Sequence, residues 1–423
     1  MTIKKQTSVR THMIPELLAP AGSFEKLTTV IHYGADAVYL GGKEFSLRAR
    51  AANFDRDALQ RAISYGHDHN VRIYVTVNIF AHNQDLDHLE DYLLLLQEFG
   101  ADGLIVSDPG ILAIARRVVP DMPLHLSTQA NVTNHASARF WSEQGVVRVN
   151  LARELGLEEI QTIRARTDVG LEVFVHGALC ISYSGRCLLS SYFTGRNANQ
   201  GDCAHPCRYS YALVEEKRPG KYFPVEEDHR GTYIFNSRDL CLLHRLPLLI
   251  AAGIDAVKIE GRMKSISYAA AVVRLYRLAL DWIREQVLAG RQAQALILPE
   301  IFHKEAEKIG TRGQSENFFT ASPSSADMIY DTMRLEQRYV PVAIVRNVTP
   351  LLVETRHGLS LGDRIEYLGR AIEPDMVQVT GMWLEDGTPQ KRVHPNTRVL
   401  LRTDPPLPSI ESQSLLRKQI EPL

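Results

Sequence analysis

A chain of 423 residues is longer than one hydrophobic core ordinarily serves, so we expect two or three domains. Its 45% hydrophobic and 23% charged residues are typical of a soluble globular protein, and a formal net charge of −1 excludes a global field that would draw it to nucleic acid or a membrane. The first residues lack the apolar core of a signal peptide and no run approaches the roughly 20 apolar residues of a membrane span, so we expect a cytoplasmic protein, in which disulfides are disfavoured.

Apolar strand-like runs alternate with amphipathic helical patterns from Glu16 to about Trp282. Most of the runs are nearly continuous, as in a parallel sheet that is buried on both faces. Eight such units predict an α/β fold with a (β/α)8 TIM-like barrel over residues 14–290, after an N-terminal tail of residues 1–13. A doubly wound open sheet is the alternative, although no glycine-rich dinucleotide fingerprint follows the first strand. The eight candidates are ELLAPAG from Glu16, AVYLGG from Ala37, RIYVTVNIF from Arg72, GLIVSD from Gly103, LHLSTQA from Leu124, RVNLARE from Arg148, LEVFVHG from Leu171 and AVKIEGR from Ala256.

Polar side chains stand at the C-terminal ends of these strands, where a TIM barrel carries its chemistry. Together they supply cations, histidines and amides, a set that suits a small polyanionic ligand. Taken singly, each is also explained as strand-end polarity or a helix cap, and Arg48 and Arg50 as part of a solvated loop. We predict catalytic roles for His176, Glu260 and Asn78, and substrate binding by Arg48, Arg50, Gln129, Arg153, Lys258 and Arg262.

Four of the five cysteines lie between residues 180 and 207, directly after the seventh predicted strand: Cys180, Cys187, Cys203 and Cys207. Six, fifteen and three residues separate them, which is not the two-residue spacing of common structural zinc sites. An iron–sulfur cluster over the barrel mouth is the favoured interpretation; a zinc site, two disulfides or four unrelated buried thiols are the alternatives. Cys241 is predicted to be a buried thiol on an amphipathic helix.

From Tyr339 onward the pattern changes to short β-rich runs with turn signals. These predict a small β-barrel over residues 331–409, preceded by a connecting helical segment at 291–330 and followed by a tail at 410–423 that is a peripheral helix or disordered. Because the net charge is near zero, RNA binding requires a local basic patch. Its candidates are Arg392, Arg398 and Arg402 on the small barrel and Arg186, Arg196 and Arg208 beside the cysteines, with a solvated strand face as the alternative.

The stretch around the first two cysteines carries a recognisable signature. It resembles that of the collagenase-like peptidase family, peptidase family thirty-two of unknown type. The resemblance extends from Glu16 to about Pro408 and includes ELLAPAG, YGADAVYLGG, FSLRAR, SDPGI, LHLSTQANV, FNSRDL and KIEGRMKS. The signature residues are Glu172, Phe174, Gly177, Ala178, Leu179, Cys180, Gly185, Cys187, Leu189 and Ser190.

The resemblance implies a [4Fe–4S] cluster on the four clustered cysteines and an O2-independent hydroxylation that forms 5-hydroxyuridine at the tRNA wobble position, with prephenate as the hydroxyl donor. The C-terminal barrel favours the RNA-modifying branch, because members that act on the ubiquinone ring lack it. The family name implies proteolysis instead, but the chain has neither an HExxH helix nor a GxSxG elbow. Proteolysis, possible through a Cys180–His176 dyad, non-catalytic RNA binding and hydroxylation of another RNA or a small aromatic substrate are the alternatives.

Overall fold

The structure is a computed structural model. It describes residues 14–46, 53–178, 189–196, 202–204, 206, 212–214, 222–224, 226–228, 231–233, 238–310, 313–320, 338–407 and 409–420.

The strands follow one another along the chain as two groups, one on each side of residue 320. They are β1 (Glu16–Pro20), β2 (Ala37–Gly41), β3 (Arg72–Val77), β4 (Gly103–Val106), β5 (Leu124–Leu126), β6 (Val146–Asn150), β7 (Gly170–Gly177), β8 (Ala212–Val214), β9 (Tyr222–Pro224), β10 (Glu226–Asp228), β11 (Gly231–Tyr233), β12 (Asp239–Cys241), β13 (Ala256–Ile259), β14 (Gln314–Ser315), β15 (Tyr339–Asn347), β16 (Leu352–Thr355), β17 (Leu359–Ser360), β18 (Arg364–Leu368), β19 (Asp375–Trp383), β20 (Arg392–Val393), β21 (Arg398–Asp404) and β22 (Leu415–Gln419).

The helices named for the described residues all precede residue 320. They are α1 (Phe24–His32), α2 (Arg56–Asp68), α3 (Leu89–Glu98), α4 (Pro109–Val118), α5 (His135–Glu143), α6 (Leu157–Arg166), α7 (Leu189–Thr194), α8 (Leu246–Ala251), α9 (Ile266–Leu288) and α10 (Glu300–Glu307). Short 3-10 turns occupy Asn83–His88, Thr128–Ala130, Leu243–Arg245, Ala293–Ala295 and Asn317–Phe319. Across the described ranges, none of the helices is long and apolar enough to cross a membrane.

Eight strands of the first group form a closed parallel barrel. Strands β1 to β7 pair in sequence order, and β13 pairs in parallel with both β1 and β7 to close it. Ser23 caps α1 by accepting a hydrogen bond from the Lys26 amide, and Gly34 follows that helix with a φ of 90°. The predicted TIM-like barrel is therefore confirmed, and the open doubly wound sheet is excluded.

Alternate residues of each strand face the helices or the barrel lumen. Leu17 and Ala19 of β1 belong to the large core beneath the helices, whereas Leu18 packs with Tyr39 and Tyr74 in a separate lumen cluster. This period of two follows from strand geometry, which points successive side chains to opposite faces. A lumen position can therefore be recognised from its neighbours on the same strand.

The sheet continues beyond the barrel at the end of β7. Strand β12 pairs antiparallel with β7, so that Cys241 lies opposite His176, and β14 pairs in parallel with β12. The prediction that Cys241 lies on a helix is wrong, because Cys241 belongs to β12 and pairs with His176 of β7. Its predicted burial is confirmed: the thiol lies 3.9 Å from the Tyr276 hydroxyl, and burial raises its pKa. The segment predicted to be a helical connection contains α10 but also β14.

The second group forms a closed six-stranded antiparallel barrel in the order β15-β16-β21-β19-β18-β22. The predicted small β-barrel is thus confirmed, but its boundary was set too early. Residues 415–419, assigned to a peripheral tail, form β22, which pairs with both β15 and β18. Without β22 the barrel would stay open and expose two unpaired strand edges.

The two barrels share a tightly bonded interface. The hydroxyl of Tyr33, the residue that follows α1, donates to the Leu368 carbonyl at 2.9 Å and accepts from the Leu415 amide at 2.8 Å. Burial raises the pKa of Tyr33 to about 12, so the donor proton is retained at neutral pH. The ion pair of buried Arg417 with Glu305 of α10 joins the same two bodies, and Glu366 of β18 holds Arg417 from within the small barrel.

We expect Tyr33→Phe to lower the free energy of unfolding by about 1–3 kcal/mol, because it leaves a buried carbonyl and a buried amide without their partner. Chemical denaturation measures this loss. Tyr65→Phe is the matched control, since the Tyr65 hydroxyl makes no hydrogen bond within the described residues, and it should stay within about 0.5 kcal/mol of the parent. Equal stability of the two variants would contradict the proposed strength of the Tyr33 contact.

Candidate functional site

The C-terminal ends of β3, β4 and β5 meet in a network of amides and hydroxyls. The Asn78 amide donates to Gln129 Oε1 at 2.9 Å, and the Ser127 hydroxyl donates to the same oxygen at 2.9 Å. Ser107 donates to the Asn78 carbonyl at 3.0 Å. The structure therefore brings together Asn78, which follows β3, and Gln129, which follows β5.

Arg262, after β13, reaches across the same mouth. Its guanidinium donates to Ser46 Oγ at 2.9 Å, Thr76 Oγ1 at 3.2 Å and Asn53 Oδ1 at 2.7 Å, and the residue is only 4% exposed. These three partners orient the guanidinium at the mouth. Anion binding by Arg262 stays a prediction.

The backbone that carries Arg262 is held by a buried lysine. Lys26 Nζ donates to the carbonyls of Arg262 at 2.7 Å and Lys264 at 2.6 Å. Burial lowers the pKa of Lys26 to about 8, while the nearby Glu260 carboxylate acts in the opposite direction. Lys26 thus fixes the loop and adds a second cation to this side of the mouth.

Glu260 and Arg153 lie beside the point where the cysteine segment begins. The Glu260 carboxylate accepts from the amides of Gly261 and Arg262 and from the Tyr39 hydroxyl at 3.3 Å. Arg153 donates to the Ala178 carbonyl at 2.9 Å, with its guanidinium carbon 4.3 Å from the centre of the Phe174 ring. Both side chains are fixed by neighbours at the rim, and catalysis by Glu260 and substrate binding by Arg153 stay predictions.

Lys258 does not belong to that rim. Its ammonium lies 2.8 Å from Glu172 Oε1 in the lumen, the residue is only 3% exposed, and it faces the ring of Tyr39 at 4.4 Å. The predicted direct contact of Lys258 with substrate is therefore replaced by an internal ion pair. Strand alternation explains the difference, because Lys258 points inward from the middle of β13 rather than outward from its end.

Lys258 is one member of a lumen charge ladder. Arg148 lies 2.7 Å from Glu16 and 3.8 Å from Glu172, and Arg72 also pairs with Glu16. The carboxylates raise the pKa of Arg148, which therefore stays charged. Lys258 is the one member of this ladder for which the sequence predicted a functional role. The ladder consists of Arg72, Glu16, Arg148, Glu172 and Lys258.

His176 lies at the end of β7 but is enclosed rather than presented. It is 2% exposed, and its ring lies 5.9 Å from that of Tyr268 and 5.5 Å from that of Tyr276, both on α9. Burial lowers the pKa of His176 to about 4. The imidazole is neutral at pH 7, so it can donate one hydrogen bond and accept another, but it is not available as an imidazolium acid.

The cysteine segment leaves the barrel directly at Glu260. Gly177 has a φ of 119°, and a Cβ there would lie 2.5 Å from the Glu260 carbonyl oxygen, so only glycine fits this exit. Cys203 is half-buried, and its carbonyl accepts from Arg196 at 3.2 Å. Several predicted residues lie outside the described part of the chain, namely Cys180, Cys187, Cys207, Arg48, Arg50, Arg186 and Arg208.

Among the predicted RNA contacts, those on the small barrel are open to solvent. Arg392, Arg398 and Arg402 are exposed, and Arg402 stacks 5.0 Å from the ring centre of Trp383. Arg196 differs, because its guanidinium pairs with Asp202 at 2.8 Å as well as with the Cys203 carbonyl. Arg196 thus supports the backbone of Cys203 instead of offering its charge to a phosphate.

Asn150 is one of several polar residues near the mouth for which the sequence predicted no role. Asn150 ends β6, two positions after Arg148, and is 2% exposed. Neither its amide oxygen nor its amide nitrogen has a hydrogen-bond partner in the described part of the protein. The period-two alternation of RVNLARE could have placed this side chain in the lumen with Arg148.

These features define a TIM-barrel protein whose candidate active site lies at the C-terminal mouth, beside a cysteine-rich insertion. The family model described as Peptidase family U32 matches residues 22–329. The chain belongs to this family.

Three relatives are similar over most of the chain. A "tRNA hydroxylation protein P1" of Bacillus subtilis is 37% identical, covering 88% of each chain. A "tRNA hydroxylation protein P" of Escherichia coli is 39% identical, covering 72% of this chain and 74% of the relative. An "Uncharacterized protease MJ0090" of Methanocaldococcus jannaschii is 38% identical, covering 84% and 87%.

We expect Lys258→Met to destabilise the protein by about 3–5 kcal/mol, because it removes one partner of a buried ion pair and leaves the Glu172 carboxylate poorly compensated. Denaturant titration measures the loss. The double variant Lys258→Met, Glu172→Leu should regain much of it, since no uncompensated carboxylate remains at this position. Strictly additive losses in the double variant would show that the two charges are not coupled.

Proposed function

We propose that this protein is a tRNA-modifying hydroxylase that forms 5-hydroxyuridine at the wobble position without dioxygen, with a [4Fe–4S] cluster and with prephenate as the hydroxyl donor. The observation that carries the proposal is the polar mouth beside the cysteine-rich insertion. It occurs in a chain that is 37% and 39% identical to two proteins named for tRNA hydroxylation. The insertion leaves β7 against Glu260, so a centre held there would adjoin the mouth.

Four clustered thiolates suit an iron–sulfur cluster, which when bound would supply redox or Lewis-acid chemistry. Cys180, Cys187, Cys203 and Cys207 are its proposed ligands. Only Cys203 lies in the described residues, among which no group of three or more metal-binding side chains occurs. The contacts of Arg196 with Asp202 and the Cys203 carbonyl support a fixed backbone at this ligand.

The mouth suits a small dicarboxylate such as prephenate. Arginine forks bind carboxylates through paired hydrogen bonds, and Arg262 and Arg153 stand on opposite sides of the β7–β13 seam. Asn78 and Gln129 offer neutral contacts to the remaining hydroxyl and carbonyl groups. Glu260, held by two backbone amides, is positioned to accept a hydrogen bond from a bound hydroxyl.

The small barrel is the proposed platform for the RNA backbone. Arg392, Arg398 and Arg402 are exposed on it, and exposed arginines contact phosphates without reading sequence. Contacts of Tyr33 and Arg417 between the barrels fix the distance between this surface and the mouth. A rigid platform would present one nucleotide to the mouth while the backbone is held elsewhere.

Proteolysis is the second candidate, since the family name and the name of the Methanocaldococcus relative favour it. One group has the outline of a protease triad: His32 Nε2 lies 3.0 Å from Ser414 Oγ, and Glu411 lies 3.7 Å from His32 Nδ1. Ser414, however, is 1% exposed at the interface between the barrels, so a peptide cannot reach its hydroxyl. This burial favours hydroxylation over a serine-protease mechanism at that group.

In a strain whose own wobble hydroxylation has been deleted, we expect expression of this chain to restore 5-hydroxyuridine in tRNA, measured by nucleoside mass spectrometry. The product should disappear when the same cells cannot make prephenate and return when prephenate is supplied. Absence of 5-hydroxyuridine under all conditions, together with casein hydrolysis by the purified protein, would overturn the proposal in favour of proteolysis.

We expect Cys203→Ser and Cys187→Ser, purified without oxygen, to lose most of the iron and sulfide bound per chain, because serine is a poor cluster ligand. Cys241→Ser is the matched control: that thiol is buried against Tyr276 in the sheet extension, so its iron content should remain at the parent value. Zinc in place of iron in the parent protein, or iron loss in the control, would contradict the assignment.

A further inference from the structure

Asn150 combines deep burial with an unused amide. A buried polar group without a hydrogen bond is costly, and native proteins rarely keep one without a reason. Here both ends of one side chain lack a partner among the described residues, so the result does not depend on which atom is assigned as oxygen. This arrangement favours a partner from outside the chain.

The position of Asn150 directs the amide into the lumen beneath the mouth. Val149 faces the helix-side core, whereas Arg148 pairs with Glu16 and Glu172 in the lumen, and Asn150 shares the face of Arg148. In the strand register Asn150 lies opposite Glu172 of β7. It therefore lies beside the lumen charge ladder, at the C-terminal end of its strand.

Two more unused polar atoms belong to the same part of the barrel. His125 Nδ1 on β5 and Glu172 Oε2 on β7 have no hydrogen-bond partner in the described ranges, and their strands flank β6. Burial lowers the pKa of His125 well below its usual range, so the ring is neutral. Three neighbouring strands thus carry buried polar atoms without a hydrogen bond in the described ranges, of which Glu172 Oε2 also lies 3.8 Å from Arg148 in an ion pair.

We propose that Asn150 binds the N3–O4 edge of the target uracil. This inference rests on the proposed function and deepens it by naming the residue that recognises the base. The side-chain amide offers a donor and an acceptor side by side, which match the O4 acceptor and the N3–H donor of uracil. An unpaired loop base can be presented to this amide without the cost of opening a duplex.

Asn150→Leu separates binding from folding. Leucine has a similar size and leaves no polar atom behind, and no internal hydrogen bond is lost, so the variant should unfold at the same or a higher denaturant concentration than the parent. Thr29→Val is the matched control: Thr29 is fully buried on α1, outside the mouth, and donates to the Glu25 carbonyl at 2.8 Å. The control should be slightly less stable and unchanged in RNA binding.

The test compares two tRNA transcripts that differ only at the wobble base, one with uridine and one with 3-methyluridine, which lacks the N3 proton. Full-length protein purified without oxygen should bind the uridine transcript about 10- to 100-fold more tightly, the range of one bidentate base contact. Asn150→Leu should bind both transcripts equally, and Thr29→Val should keep the parent preference.

Equal binding of both transcripts by the parent, or a full preference retained by Asn150→Leu, would overturn the inference and would indicate that ordered water satisfies the amide. The assay needs no turnover, so it is independent of the reaction. If Asn150→Leu loses the preference but the parent forms no 5-hydroxyuridine, the recognition stands and the proposed reaction fails. If the parent forms the product and Asn150→Leu keeps the preference, only the inference fails.

Discussion

The closure of the parallel barrel at β13 is the constraint on which the rest of the structure depends. This strand pairs with β1 on one side and β7 on the other, and the lumen charge ladder runs across the same seam from Glu16 to Glu172 and Lys258. Buried charges are costly unless they are paired. A strand register that separated these charged side chains would therefore destabilise the barrel. Closure and charge pairing therefore select the same arrangement of strands.

The geometry of the mouth follows from that closure. A register shift between Lys258 and Ile259 marks the point where β13 leaves the regular ladder, and the next residues carry Glu260 and Arg262. Lys26 holds the carbonyl of Arg262, and a Cβ at Gly22 would lie 2.5 Å from that same oxygen, so the loop has little freedom to move. Preorganised polar groups of this kind bind a ligand without first being ordered.

The small barrel is joined to this scaffold as part of one continuous core. Ile344, Leu368 and Leu415 pack in the same hydrophobic cluster as the TIM-barrel residues, and buried Arg274 donates to the Gly369 carbonyl at 2.7 Å. Such an interface resembles a domain interior more than a hinge. A site at the mouth and a basic surface on the small barrel can therefore act on one RNA at a constant separation.

The sequence by itself determined the eight barrel strands, the place of the cysteine insertion and the existence of the second barrel, because these depend on local hydrophobic patterns and on spacing along the chain. Only the tertiary structure decided the partner of Lys258, which lies 86 residues away at Glu172, and the strand that contains Cys241. It also decided that residues 415–419 close a barrel and that Asn150 keeps an unused amide. Each of these depends on strands that meet only after folding, and no local pattern reports which distant group a side chain will face.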